Sequence, residues 1–361
     1  MSLNIGIVGL PNVGKSTLFN ALTKQKVLAE NYAFATIDPN VGIVNLPDPR
    51  LEKLAQLYNS KTVIPSTVQF VDIAGIVKGA SEGEGLGNKF LANIRETDAI
   101  CQVVRAFEND DIIHVSGKVD PNDDIEIINY ELILADLQTI ENAMSRFDKE
   151  LRGGKIEKAY YDEVLRAKDT LESGELLSKA AENKKINLDL ISDLQFLTSK
   201  PFIFVFNVDE KVLNDKGKLS ELEKSVGGKN CVFLDAQFES ELVDLNEADA
   251  LEMLEMSGQN ESGLDKLAKM GFSILGLQTF LTAGEKEVRA WEIKKGTTAP
   301  KAAGVIHTDF EKGFIKAEIV SYSDLISLGS LHAAREAGKV RMEGKDYIMQ
   351  EDDVVEFRFS N

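Results

Sequence analysis

The stretch Gly9-Leu10-Pro11-Asn12-Val13-Gly14-Lys15-Ser16-Thr17 constrains this chain more tightly than any other. It satisfies the pattern G-x-x-x-x-G-K-[ST], and its flanks supply the context the pattern requires. Leu3-Asn4-Ile5-Gly6-Ile7-Val8 before it reads as a short buried strand. After it, Leu18, Phe19, Ala21 and Leu22 recur at helical spacing. A loop between such a strand and such a helix turns its N–H groups and the helix N-terminus toward phosphate oxygens. Gly9 and Gly14 let the backbone approach a ligand closely. Lys15 is placed to reach β- and γ-phosphates, and the Ser16 hydroxyl to sit on Mg²⁺. The spacing therefore predicts a nucleoside-triphosphate site, with Asn12, Val13, Gly14, Lys15, Ser16 and Thr17 as its phosphate-binding residues.

Downstream segments fall where such a site needs them. Asn31 to Asn40 is polar and turn-rich, the place of a first switch loop, and Thr36 is its candidate for closing the Mg²⁺ shell. Thr67-Val68-Gln69-Phe70-Val71-Asp72-Ile73-Ala74-Gly75 reads as a strand ending in D-x-x-G. Asp72 would hold Mg²⁺ through water and the Gly75 N–H would meet the γ-phosphate. Four glycines from Gly79 to Gly87 suit a second switch loop. Ile76 stands where Ras-like enzymes carry a water-orienting glutamine, so that task falls to another group. His114 is the candidate: it follows the strand Ala99–Phe107 on a polar loop at the edge of the expected sheet.

From Ile125 the apolar period changes to three and four, through Leu134, Leu137, Ile140, Met144, Phe147 and Leu151. Gly153-Gly154 breaks this pattern and a second helix follows to Leu171. A first arm of roughly 27 residues would extend on the order of 40 Å, with a third helix expected near Leu188–Leu197. Phe202–Glu210 restores the sheet and ends in Asn207-Val208-Asp209-Glu210. A guanine-specific site carries N-K-x-D there, whose aspartate accepts two hydrogen bonds from the base. Val208 removes the lysine and Glu210 is one methylene too long, so the basis for rejecting adenine is lost. Cys231–Ala236 is the last strand of the sheet, with a loop positioned to reach the base. Short strands and turns from Gln278 onward suggest a small α+β module.

Composition narrows the partners. The net charge of −18 excludes a broad nucleic-acid-coating surface. It is uneven, however: residues 278–361 hold 12 Lys and Arg against 14 Asp and Glu, leaving 29 against 45 before them. The last segment is thus the one best able to offer RNA a local basic face. No apolar run approaches a membrane span, and with two cysteines in apolar runs, Cys101 and Cys231, a cytoplasmic protein with buried thiols is expected. His307 and His332 read as structural or surface residues.

Taken together, Gly9–Thr17, Asn31–Asn40, Asp72–Phe90 and Asn207–Glu210 resemble the YchF proteins, the Obg-like ATPases, and Gly296–Val320 resembles the TGS domain that ends them. The resemblance covers nearly the whole chain. It implies an α/β P-loop G domain over residues 1–130 and 200–277, a helical coiled-coil insertion over 131–199, and a β-grasp-like TGS domain over 278–361. It further implies ATP preferred over GTP, Mg²⁺ as cofactor, and association with a ribosome, its large subunit, or with rRNA or tRNA through the helical and TGS domains. Three residue roles come with it: Ile76 matches the hydrophobic replacement of the catalytic glutamine, His114 the loop histidine put forward in its stead, and Asn12 the K⁺-ligating asparagine of potassium-activated relatives. Lys15, Gly75 and His114 are then the catalytic set, and Ser16, Thr36 and Asp72 the metal set. Asn207, Val208, Glu210 and Ala236 complete the nucleotide site. Three functions stay open: a slow ATPase switch on a ribosome-like partner, a non-hydrolysing adenine-nucleotide sensor, and a translation-related GTPase.

Overall fold

The computed structural model describes residues 3–24, 40–73, 86–109 and 118–360. The chain runs β1 (Asn4–Val8), α1 (Lys15–Lys24), β2 (Val41–Asn45), α2 (Pro49–Tyr58), β3 (Thr62–Ile64), β4 (Thr67–Asp72), α3 (Leu86–Arg95) and β5 (Ala99–Arg105). A helical insertion follows, with α4 (Pro121–Arg152), α5 (Lys158–Glu172), α6 (Leu177–Glu182) and a 3-10 turn over Leu188–Leu194. Strand and helix then alternate through β6 (Phe202–Asn207), α7 (Glu210–Leu213), α8 (Lys216–Ser225), β7 (Cys231–Leu234), α9 (Ala236–Val243), α10 (Glu247–Met256) and α11 (Gly263–Ile274). The last segment holds β8 (Leu277–Ala283), β9 (Glu287–Lys294), α12 (Ala299–Ile306), α13 (Thr308–Lys312), β10 (Phe314–Ser321), α14 (Tyr322–Leu328), α15 (Leu331–Glu336), β11 (Arg341–Glu343) and β12 (Asp353–Phe359).

The first unit is built on a sheet of order β2-β4-β1-β5-β6-β7. Its pairs β1–β4, β1–β5, β5–β6 and β6–β7 are all parallel. Every residue of β5 is buried, including Cys101, as a central strand covered on both faces requires. Cys231 at the start of β7 is only half-buried, because that strand is at the sheet edge. Parallel strands deliver their C-terminal ends to one side, and the loops after β1, β5, β6 and β7 gather there.

The insertion is longer than its periodicity suggests. Pro121 pre-sets the first turn of α4, and the Asp120 carboxylate accepts from Asn122 N and Asp123 N, so the helix starts before its apolar seam. Its 32 residues span about 48 Å. Ile140 and Phe147 of α4 pack on Val164, Ala167 and Leu171 of α5, closed by Leu177, Ala180 and Ile191. The segment expected as a third helix forms only the 3-10 turn, with Ile191 leaving helical dihedrals. The buried Asp136 of α4 takes the amides of the residues just beyond that turn, Leu197 N at 2.9 Å and Thr198 N at 2.8 Å, and the Thr198 hydroxyl at 2.7 Å.

The second unit carries a sheet of order β11-β10-β12-β8-β9-β3. Among the described residues it comprises 44–68 as well as 268–360. The assignment of all of 1–130 to the nucleotide domain therefore differs from the contact division. Leu51 and Leu54 of α2 bury against Leu281, Val288, Ala290 and Val320, and β3 pairs in parallel with β9, Val63 opposite Val288. On the other face Phe280, Phe314, Ala317, Ile319, Val355 and Phe357 enclose Ala299, Ala302 and Ala303 of α12. His307 and His332 are exposed, and His307 Nδ1 accepts from Asp309 N at the start of α13.

Candidate nucleotide-binding site

The loop after β1 adopts the backbone that its glycines and asparagine permit. Asn12 sits at φ 64° and Gly14 at φ 93°, a left-handed pair that turns successive amides inward. A Cβ on Gly14 would lie 2.1 Å from Asn207 Nδ2, and one on Gly9 would lie 2.8 Å from the Val103 carbonyl. The Val13 side chain is buried, and its carbonyl accepts from Asn207 Nδ2 at 3.0 Å. Leu18 N donates to Gly14 O and starts α1, on whose first turn Ser16 and Thr17 are exposed.

Lys15 forms an ion pair with Asp72 at the end of β4. Ile7 of β1 lies opposite Asp72 in the ladder, which brings the carboxylate beside the loop. Asp72 is partly exposed and already receives a cationic group, the Lys15 ammonium. With the exposed Ser16 hydroxyl it offers a small, all-oxygen donor set. Such a set fits Mg²⁺, which takes one or two protein oxygens and completes its shell with phosphates and water. Thr36, Gly75, Ile76 and His114 lie outside the described residues.

The other end of the site is a hydrogen-bonded bridge. Asn207 is 6% exposed, and its amide donates to Val13 O while its Oδ1 accepts from Ala236 N at 3.0 Å. The last residue of β6 thereby ties the phosphate loop to the loop after β7. Val208 is 1% exposed and packs with Val104, Ile125, Phe206 and Val212. The Asp209 carboxylate caps α7 by accepting from Val212 N at 2.9 Å, and Glu210 is exposed on the first turn of that helix. Asp235 caps α9, accepting from Gln237 N and Phe238 N; burial raises its carboxyl pKa while those two bonds oppose the rise.

A cleft of about 1010 Å³ runs between these ends. It brings together Asn12, Gly14, Lys15, Ser16 and Thr17 with Asn207, Val208 and Ala236. Val13 and Glu210 do not line it: Val13 is buried with its carbonyl on Asn207, and Glu210 is exposed beside the cleft-lining Asp209. Sequence reasoning missed one wall, Phe107, Glu108 and Asn109. Arg105, 1% exposed, holds that wall: its guanidinium lies 4.4 Å from the Phe107 ring centre and donates to the Phe107 and Asn109 carbonyls. An arginine inside the otherwise apolar run Val103–Phe107 was the available signal.

A mainly parallel sheet with a phosphate loop after its first strand, an aspartate at the end of the neighbouring strand and a loop after the last defines a P-loop nucleotide-binding protein. Residues 4–141 match the family model MMR_HSR1, described as 50S ribosome-binding GTPase. Residues 277–360 match YchF-GTPase_C, described as a protein of unknown function (DUF933). The ribosome-binding ATPase YchF of Bacillus subtilis is 51% identical to this chain, with 100% of each covered. That of Haemophilus influenzae is 50% identical, again over 100% of both. The solved YchF GTPase of Schizosaccharomyces pombe superposes with a TM-score of 0.86 at 38% identity, covering 99% of this chain and 98% of that one. The chain belongs to the YchF family.

Proposed function

We propose that this chain is an Mg²⁺-dependent ATP-hydrolysing switch that binds ribosomes and prefers ATP to GTP. The observation that carries the reading is the cleft itself, with the Lys15–Asp72 pair and Ser16 at one end and the Asn207–Ala236 bridge at the other. The names of the bacterial relatives, ribosome-binding ATPases, support it. Their fission-yeast counterpart bears the name GTPase, and the base end of this chain's site favours ATP. Val208 is committed to the core, and the carboxylate of Asp209 is spent on its helix cap. That leaves Glu210, a methylene longer than the guanine-reading aspartate, and no lysine stem to cover the base.

In this reading Lys15 exchanges Asp72 for β- and γ-phosphate oxygens when nucleotide enters. Ser16, Thr36 and Asp72 would hold Mg²⁺, which would supply charge neutralisation. Phosphoryl transfer needs mainly positioning and electrostatic stabilisation, so the loop amides around Gly14 and the Lys15 ammonium provide most of what the protein must give. Gly75 N–H would meet the γ-phosphate, His114 would orient the water that Ile76 cannot, and K⁺ at Asn12 would add charge. The helical and C-terminal segments are the proposed ribosomal contacts.

Calorimetry with ATP and GTP tests the core of the proposal. ATP should bind the tighter of the two, and Lys15→Ala should abolish triphosphate binding while melting like the parent. A parent preferring GTP tenfold, about 1.4 kcal/mol, would overturn the base reading. Ribosome co-sedimentation should weaken steeply with salt, as contacts to rRNA phosphates release counterions.

A further inference from the structure

Glu239 has a place in the fold that the reading above leaves unused. It lies one turn into α9, the helix that starts at Ala236, and is 1% exposed. Its Oε1 accepts from Gly263 N at 2.6 Å and its Oε2 from Leu264 N at 3.3 Å, the first two amides of α11. The junction has no slack: a Cβ on Gly263 would stand 2.5 Å from Leu234 Cβ and 2.8 Å from Glu239 Oε1. The end of β7, the start of α11 and the first turn of α9 are therefore locked together. From that turn the hydrogen bonds continue into the site, Ala236 N to Asn207 Oδ1 and Asn207 Nδ2 to Val13 O.

We infer that Glu239 is a positioning residue for the base-binding loop: its carboxylate holds α9 on the start of α11, which fixes Ala236 and the Asn207 bridge, and protonating it loosens that loop and weakens base-dependent nucleotide binding. The inference rests on the ATP-site reading above and extends it. A buried charge that bonds only to amides is a costly way to join two helices. What ionisation adds is two acceptors for two donors. A protonated carboxyl presents one O–H toward the same two N–H groups and satisfies only one of them, and the longer bond to Leu264 goes first. Among the described residues the charged groups that act on it are both on α11: Asp265 raises its pKa and Lys266 lowers it. Burial dominates and pushes the carboxyl up to about 7, against the two amide bonds, so protonation occurs near neutral pH.

The experiment compares Mg²⁺-ATP with Mg²⁺-tripolyphosphate, which has the phosphates and no base, on the full chain by calorimetry at about pH 6 and about pH 8. In the parent, ATP affinity relative to tripolyphosphate should fall about fivefold at the lower pH, the net worth of one hydrogen bond. Glu239→Gln should hold the weakened ratio at both pH values while leaving tripolyphosphate binding at the parent level. Asp265→Asn removes the neighbouring negative charge and leaves the Glu239 carboxylate and its two amide donors in the chain. It should shift the inflection to lower pH with the ratio at the higher pH unchanged, which decides the matter should Glu239→Gln fail to fold. A Glu239→Gln protein with the parent's ratio and pH dependence, or an Asp265→Asn protein with an unmoved inflection, would overturn the inference. A parent that binds tripolyphosphate but gains nothing from the base would instead remove the ATP reading on which it stands.

Discussion

At position 14 the backbone decides the residue. The φ of 93° lies where L side chains rarely go, and a Cβ would collide with Asn207 Nδ2 at 2.1 Å. Gly14→Ala should therefore do two things: strain the loop by about 1–3 kcal/mol, and drive Asn207 off Val13 and Ala236. Nucleotide affinity should fall by tenfold or more, with a smaller drop in melting temperature, and parent-like affinity would show that the bridge is dispensable. Asn207→Ala tests the same bridge from the other side, stranding Ala236 N without a buried partner. Lys15, Ser16 and Asp72 were legible in the sequence because their chemistry fixes their spacing. Asn207 was legible only as part of a base motif. Its bridging role spans 194 positions to Val13, and no local pattern encodes a contact of that range. Val208 illustrates the same limit, since its absence of charge was readable and its burial was not.

Helices carry the next set of expectations. The amphipathic periods of α4 and α5 were readable because helix seams repeat every three or four residues. The 3-10 turn at Leu188–Leu194 was not, because what forms its exit is Asp136, on a different helix. Asp136→Ala should leave two amides and a hydroxyl buried without their acceptor and cost about 3 kcal/mol or more, read by denaturant unfolding; a loss under about 1 kcal/mol would make that tie redundant. Glu239 gives a stability signal opposite in sign to its binding signal. Its folded pKa, about 7, lies above the ordinary glutamate value of 4.5, so between those values the folded chain holds a proton that the unfolded chain has released. Its contribution is fully present below the unfolded pKa and is lost as pH rises through about 7. The melting temperature of the parent, measured against Glu239→Gln, should fall between about pH 5 and about pH 8. A constant difference across that range would remove the ionisation from the account.

For the whole molecule, the consequential departure is the route between β2 and β4. The sequence suggests one nucleotide domain interrupted by helices and followed by a C-terminal module. It contains nothing to show that α2 and β3 leave that domain, because strand partners so distant are set by packing and not by local preference. In the structure, Leu51 and Leu54 fill the core of the second unit, the Asp48–Arg50 pair reaches Thr279 and the Glu351 carbonyl, and Ser60 donates to Gly284 O. The segment between β2 and β4, the strand that ends in Asp72, is therefore part of the C-terminal sheet. If contacts define cooperative units, the amides of β3 should open with β8 and β9, and not with β1 and β4, though β3 is three residues from β4 in sequence. Native-state hydrogen exchange at rising denaturant measures this directly. The Val63 amide should merge with the unfolding free energy of Phe280 and Ala290, while Ile7 and Phe70 follow their own isotherm. Merging of Val63 with Phe70 instead would return β3 to the nucleotide domain. The same experiment with ATP present separates the units further. A ligand confined to the P-loop cleft raises the opening free energy of Ile7 and Phe70 by RT ln(1 + [L]/Kd), about 2.7 kcal/mol at a hundredfold excess over Kd. It leaves β3 and β9 unmoved unless the two units unfold as one.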